Sequence, residues 1–402
     1  MIYPVKYLNS EMRGAPVING TAGCLLDMLD ACLGTGFGLS TLLSIDVKGG
    51  IATATVASGG SFDECAVVLI DGATPESLNG EARVLTTTST GFTFAAEGVP
   101  DGAASGTMTA KYAPVHNWSK IYTTTNVAVW KSVDPQANGH YLRIDDSNLT
   151  WARVRGYESM TDADTGTGAF PSDAQLTANL NLCWTRSSSS TTTKVGWQLF
   201  GDSRFFVLSI APGTSSSASN SAAPARGFGD PIALMPSGDA WSTTLAGTFQ
   251  GSTIYALECG SLNSSYASIL SAGNGAIVMP RSWQGLGSSV LIDPLPESCG
   301  GTNKTSGDDA YMGPFPSSID GGLRLARMFL KQQGTNPPRA IVPGVYYVPQ
   351  SGVISYIAPG TVQIGGAGEL AGRRLVAVGD VNSTSLYAPN GIYFVDATGP
   401  WR

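Results

Sequence analysis

IATATVASGGSFDECAVVLIDGATPESLNGEARVLTTTSTGFTF, Ile51 to Phe94, holds no histidine and no lysine, and its apolar residues come in short packets separated by Gly, Ser, Thr and Asn. Such packets predict short strands. IATATVA, CAVVLIDG, ARVLTTT and GFTFAAEG, with GTMTAKYA a little further on, recur at the interval of a small sandwich or barrel. β-Branched Thr and Val fit a pleated surface. Asn79-Gly80 marks a reversal, because both residues tolerate positive φ. The stretch reads as scaffold, with regular strands and few groups that do chemistry.

The remainder of the 402 residues extends this reading. Charged residues are only 13% of the chain, about half the usual share, while Gly occupies 50 positions, so Ser, Thr, Asn and Gly must cover the surface. That composition suits many strands and turns rather than helical bundles. The net charge is -7 and the 23 Lys and Arg form no basic run, which argues against nucleic acid as a partner. MIYPVKYLNSEMRGAPV lacks the apolar core of a signal peptide, and no run approaches the roughly 18 apolar residues of a membrane span. A soluble chain made in the cytoplasm, with no membrane partner, is expected. Cys24, Cys32, Cys65, Cys183, Cys259 and Cys299 lie far apart with no CxxC and no zinc spacing, so buried free thiols and no metal are expected.

Three zones follow. Residues 1–42 form an arm and a helix, 43–113 the small β unit, and 114–402 a larger β-rich domain. In the first zone Thr21 is the expected N-cap of AGCLLDMLDACL and Gly34 its stop, with Leu25, Met28, Leu29 and Cys32 on one face. This helix either docks on a neighbouring domain or, with the arm before it, clasps another subunit. The arm carries single apolar anchors at Tyr3, Pro4, Val5, Tyr7 and Val17 and has no local structure to order it. Deleting Met1 to Pro16 is therefore expected to leave both β domains folded.

In the second zone the IATAT opening, an apolar strand ending in I-x-GA, the LNG turn, an apolar V strand and the FTF strand together resemble an immunoglobulin-like module of tailed-bacteriophage virion proteins. Asp63-Glu64-Cys65 departs from that pattern, standing where a Gly-Asp turn is common. WARVRGYESMTDADTGTGAFP and GIYFVDATGPWR are similar to segments of tailed-phage structural proteins as well. The resemblance implies a mainly β fold, an immunoglobulin-like β-sandwich plus a larger β-rich domain, and a place in a virion.

The third zone shows one plain hairpin, VGWQLF and RFFVLSI, joined by Gly201-Asp202-Ser203. The runs Ser187 to Thr193 and Thr214 to Ala225 flank it and read as exposed loops at the end opposite that turn. Leu323 to Lys331 reads as a second helix, starting near Asp320 and stopping at Gly334.

Candidate chemistry finds little support. GDSR at Gly201 to Arg204 resembles an esterase nucleophile block, but a serine there needs a histidine supplied late in the chain, and His116 and His140 both lie upstream of Ser203. Asp162 and Asp164 lack the spacing of a calcium loop. GTGFG, Gly34 to Gly38, follows a helix and has no phosphate-binding Lys, so it reads as a helix stop. The pairs Asp145-Asp146 and Asp308-Asp309 are sequence neighbours whose side chains turn apart on a strand. The sequons at Asn117 and Asn263 match what this Ser/Thr content yields by chance. Trp130, Trp151, Trp184, Trp197, Trp241, Trp283 and Trp401 read as core or interface residues, with stacking on sugars as the alternative.

No catalytic, cofactor-binding or metal-binding residue is nominated. The expected function is that of a non-enzymatic structural component of a tailed-phage particle, a head decoration or a tail or baseplate part. It is made in the host bacterial cytoplasm, is homo-oligomeric, and contacts capsid or tail subunits. A receptor-binding or glycan-binding adhesin, with host surface glycan as partner, is the alternative, and a polysaccharide depolymerase a third class.

Overall fold

The computed structural model of the chain describes residues 2–57, 60–177, 181–213, 225–249, 267–268, 271–272, 275–297, 306–308, 310–335, 337–380 and 391–402. It is mainly β, as expected. β1 (Lys6–Asn9) is followed by α1 (Cys24–Leu29), which continues as a wider π-turn over Asp30–Thr35. Leu25, Met28, Leu29 and Cys32 are all buried, and Asp27 is exposed. The helical run ends at Gly36, whose φ of 72° only glycine adopts easily, so Gly34 lies inside it.

β2 (Phe37–Lys48), β3 (Ile51–Val56), β4 (Val67–Asp71), β5 (Gly80–Thr87), β6 (Gly91–Ala95), β7 (Gly102–Ala103) and β8 (Thr109–Tyr112) form one antiparallel unit. All five sequence packets become strands. β2, the longest, has no counterpart among them. Pairing runs β3–β6–β5–β4–β8–β2 and returns to β3, so the expected sandwich is closed into a ring. The cause lies in two strands. β2 pairs with β8 through its first half and with β3 through its second, and β5 likewise passes from β4 to β6, each bending at a bulge. Ile45, Ala52, Ala54, Val84, Phe92 and Phe94 fill the interior.

The larger sheet begins with the meander β9 (Trp118–Thr124), β10 (Val127–Ser132), β11 (Tyr141–Asp145) and β12 (Trp151–Tyr157). β13 (Ser159–Met160) and β14 (Gly166–Thr167) make a small side ladder, and α2 (Asp173–Thr177) precedes β15 (Leu182–Thr185). The predicted hairpin appears as β16 (Gly196–Gly201) and β17 (Phe205–Ala211). Asp202 closes its turn by accepting from the N–H groups of Arg204 and Phe205.

β18 (Ala225–Gly229), β19 (Ile232–Ala233) and β20 (Thr244–Phe249) follow, and β20 is a fork. One of its edges pairs with β18 and then with β15. The two-rung ladder β21 (Ala267–Ser268) and β22 (Ser271–Ala272) precedes β23 (Gly275–Met279), which takes the other edge of β20. From there β24 (Val290–Pro296), β25 (Ala326–Gln332) and β26 (Pro338–Tyr347) extend the sheet. β26 carries β19 and β29 (Gly391–Asp396) on its far edge, and β29 leads through β28 (Arg374–Asp380) to the edge strand β27 (Val362–Ile364).

For two whole segments the expectation is overturned. Leu323 to Lys331 is not a helix: Ala326 to Gln332 is β25, held between β24 and β26. LRLARMFLK satisfies both apolar periods. Neighbours on both edges decide for the period of two that buries Ala326, Met328 and Leu330. The N-terminal arm, in turn, does not wait for another subunit. It is β1, paired with β16 from Lys6↔Gly201 to Asn9↔Gln198, with Val5, Leu8 and Met12 buried and Tyr7 stacked on Phe200 at 4.6 Å. A single apolar core runs unbroken from the ring, through α1, into the larger sheet.

The Ser-rich run is only partly exposed. Ser187 is buried, residues 190–194 face solvent, and the Gly20 N–H donates to the Thr191 carbonyl at 2.8 Å. Thr214 to Pro224, Cys259, Asn263, Cys299 and Asp309 lie outside the described residues. The other four cysteines are buried free thiols.

Candidate functional site

The chemistry nominated by sequence separates in space. Ser203 Oγ donates to Asp134 Oδ2 at 2.5 Å, with no histidine between them. Burial opposes ionisation of Asp134, but the Ser203 hydroxyl and the Gln136 N–H hold its carboxyl below the usual range, which makes it a weak base. His116 Nδ1 is buried without a hydrogen bond, and burial lowers that ring's pKa. Asp162 closes its own turn by accepting from the N–H groups of Asp164 and Thr165, while Asp164 pairs with Arg143 at 2.7 Å. Asp145 lies near Arg143 at the surface and Asp146 turns inward, as neighbours on a strand must. Among the described residues no group of three His, Cys, Asp or Glu could hold a metal ion.

Three polar junctions stand out instead. At the first, Asp146 and Arg186, both fully buried, meet at 2.6 Å. Asp146 also caps α1 by accepting from the Leu25 N–H at 2.9 Å, the role expected of Thr21. Arg186 donates to the carbonyls of Asn19, Thr21 and Asn148. Burial pushes the Asp146 carboxyl up to about 7, against the pull of Arg186 and of the backbone N–H groups.

At the second, His140 Nδ1 lies 2.6 Å from Thr243 Oγ1, whose hydroxyl donates to Asp230 at 2.5 Å. The hydroxyl must therefore accept from an Nδ1–H tautomer of His140. Asp230 also accepts from the Asn138 N–H. Nearby, Arg339 grips Asp239, and Arg402 bonds Asp202 and the Asp230 carbonyl. These groups bond one another around a cavity of about 190 Å³ and tie distant loops together.

The third junction joins ring to sheet. Lys6 of β1, buried, meets Glu81 of β5 at 2.8 Å, and Arg83 donates to the Ala397 carbonyl. Arg374 of β28 contacts both Glu64 and Cys65.

Burial holds the His140 pKa down to about 4, so the ring is neutral in the fold and charges in the unfolded chain below about 6.5. Its contribution is complete above pH 6.5 and is lost as pH falls toward 4, by up to roughly 3 kcal/mol. Asp146, raised, contributes in the opposite sense, most strongly at low pH and least above 7. A plain pH profile mixes the two. The stability difference between the protein and His140→Gln isolates the histidine, and in urea unfolding it should shrink by roughly 2 to 3 kcal/mol from pH 7 to pH 4.5. A difference independent of pH would contradict this account.

Among the described residues, one apolar surface feature stands beside a cavity. One face of β28 and β29, with Val348, Val353 and Ile357, forms a small separate core over which Phe315, Leu323 and Leu325 fold. This cavity, of about 520 Å³, is lined mainly by Phe315, Leu325, Ile357, Ile364, Leu370 and glycines, with Arg324 and Gln363 as its polar members. Tyr356, 65% exposed, sits edge-on to Phe315 at 5.6 Å, and Ile364 is 61% exposed. Singly exposed apolar residues need no explanation, but a cluster around a cavity marks a contact surface. Sequence reasoning missed this surface because VQIGGAG looks like any loop. Its one legible signal is the lack of charge from Ile357 to Gly368.

Most tryptophans are core, as read. Of the seven so read, Trp130, Trp184, Trp197 and Trp401 are buried, Trp151 and Trp241 are partly exposed, and Trp283 is 52% exposed; Trp118 is buried as well. No helix among the described residues is long and apolar enough to cross a membrane. Comparison with known protein families, with curated proteins and with solved structures finds no match.

Proposed function

We propose that the protein is a non-enzymatic structural component of a tailed-bacteriophage particle, accessory to the head shell or to the tail and baseplate, and that it works through subunit contacts. The observation that carries this reading is the exposed apolar cluster around Tyr356 and Ile364, set on a scaffold whose buried carboxylates Asp146, Asp230 and Asp239 are engaged by internal partners. The resemblance of Ile51 to Phe94 to virion modules supplies the kind of particle. Many copies held by symmetry turn modest contacts of this type into firm attachment.

Purified particles are expected to contain the chain at a fixed copy number, measurable by quantitative mass spectrometry. Substituting Tyr356→Asp together with Ile364→Asp should deplete it from particles while leaving its melting unchanged. Recovery of the protein only in the soluble fraction, with none in particles, would refute the proposal. A second reading, recognition of host surface glycan, has one observation in its favour, the exposed Trp283. Saturable binding to host lipopolysaccharide that Trp283→Ala abolishes is the result that would select it.

A further inference from the structure

Edge strands invite pairing with other chains, and folded proteins protect them with charge, proline or bulges. β9 is protected. It carries Lys120, paired with Asp30 at 2.5 Å, and its ladder with β10 is broken by a bulge at Val129/Trp130. β27 is short, at three residues, but carries no charge, proline or bulge: its residues are Val362, Gln363 and Ile364, and its ladder with β28 is regular. The phase of that ladder is fixed on both sides. The Ala377 N–H donates to the Thr361 carbonyl and the Gly365 N–H to the Arg373 carbonyl. Thr361, Gln363 and Gly365 therefore direct their backbone groups at β28, and the N–H and C=O groups of Val362 and Ile364 point to the open side.

We propose that β27 pairs antiparallel with β27 of a second copy, about a two-fold axis through Gln363. The inference rests on reading this surface as a contact surface. In that register Val362 faces Ile364 of the partner subunit and the reverse, four main-chain hydrogen bonds form, and the exposed Val362 and Ile364 side chains gather on one face. A second copy, rather than an unrelated peptide, is indicated by charge. Around a two-fold axis each group meets its own counterpart, so any charge there would face a like charge. The twelve residues from Ile357 to Gly368 carry no ionisable side chain, as self-pairing needs and as recognition of a charged segment does not.

The test is sedimentation velocity on the full chain in isolation, across a concentration series. A reversible dimer is expected. Gln363→Lys and Gln363→Glu should each weaken it by roughly ten-fold or more without shifting the thermal melt, because like charges then meet on the axis. An equimolar mixture of the two variants should restore a heterodimer, which a merely structural role for Gln363 would not produce. Ile364→Pro, which removes one outward N–H, should also dissociate it. The inference is overturned by a wild-type protein that stays monomeric at its highest soluble concentration, by a dimer indifferent to these substitutions, or by single variants that do not recombine on mixing. Since no particle enters the measurement, a monomer would count against this pairing alone, and the virion reading would still be judged on particle content.

Discussion

Deletion of Met1 to Pro16 is expected to leave the chain unable to fold, the opposite of what its sequence suggests. The deletion removes β1 and with it three buried apolar side chains, Val5, Leu8 and Met12. At roughly 1.5 to 3 kcal/mol each, their burial amounts to about 5 to 9 kcal/mol. That is the scale of a whole domain's net stability, about 5 to 15 kcal/mol. Two further losses add to it. Glu81 is left without Lys6 at the seam between ring and sheet, and Trp197 Nε1 loses the Pro16 carbonyl that it reaches at 3.0 Å. The check is circular dichroism and a thermal melt of the truncated protein beside the full chain. A cooperative transition within a few degrees of the parent would show the arm to be dispensable.

Asp146→Ala should be the most damaging single substitution at the polar junctions. It strands the Arg186 guanidinium, fully buried, and uncaps α1 at once. Breaking a buried pair costs about 3 to 5 kcal/mol, and loss of a cap about 1 kcal/mol more. Asp145→Ala next to it, at a half-exposed surface pair, should cost under about 1 kcal/mol. Urea unfolding of the two variants at pH 7 makes the comparison. The double variant Asp146→Ala with Arg186→Met should recover part of the loss, because no unpaired charge remains inside. Equal, small effects at both positions would mean that the Asp146 pair is not holding α1 to the sheet.

The sequence was most legible where a signal is local. Short apolar packets between Gly, Ser, Thr and Asn marked β3 to β6 and β8, and the Gly201-Asp202-Ser203 turn marked β16 and β17, because neighbours along the chain decide those conformations. It was least legible where the deciding partner is remote. Thr21 looks like a cap until Asp146, far along the chain, takes the role. Leu323 to Lys331 looks like a helix until β24 and β26 flank it. The arm looks unattached until β16 is placed beside it. At Asp63-Glu64-Cys65, where the sequence departs from the phage-module pattern, Arg374 of the larger sheet reaches Glu64 and Cys65, while Asp63 is bonded by Tyr112 of the ring's own β8. Glu64 and Cys65 thus serve the docking of the two units, and Asp63 the ring itself. The contact surface at β27 was invisible for a different reason. Exposure follows from what the rest of the chain leaves uncovered, and no short stretch encodes that.

The pairing of Lys6 with Gly201 also sets a timetable. On a ribosome adding roughly 5 to 20 residues per second, β1 emerges some 10 to 40 s before the strand that will receive it. The tail is later still: Ala397 accepts from Arg83 of the ring, and Trp401 closes over Gly344. Throughout that interval Val5, Leu8 and the unpaired backbone beside them are open to chaperones and to neighbouring nascent chains. Yield in the cell should therefore respond to translation speed and to chaperone supply more sharply than the stability of the finished molecule would suggest.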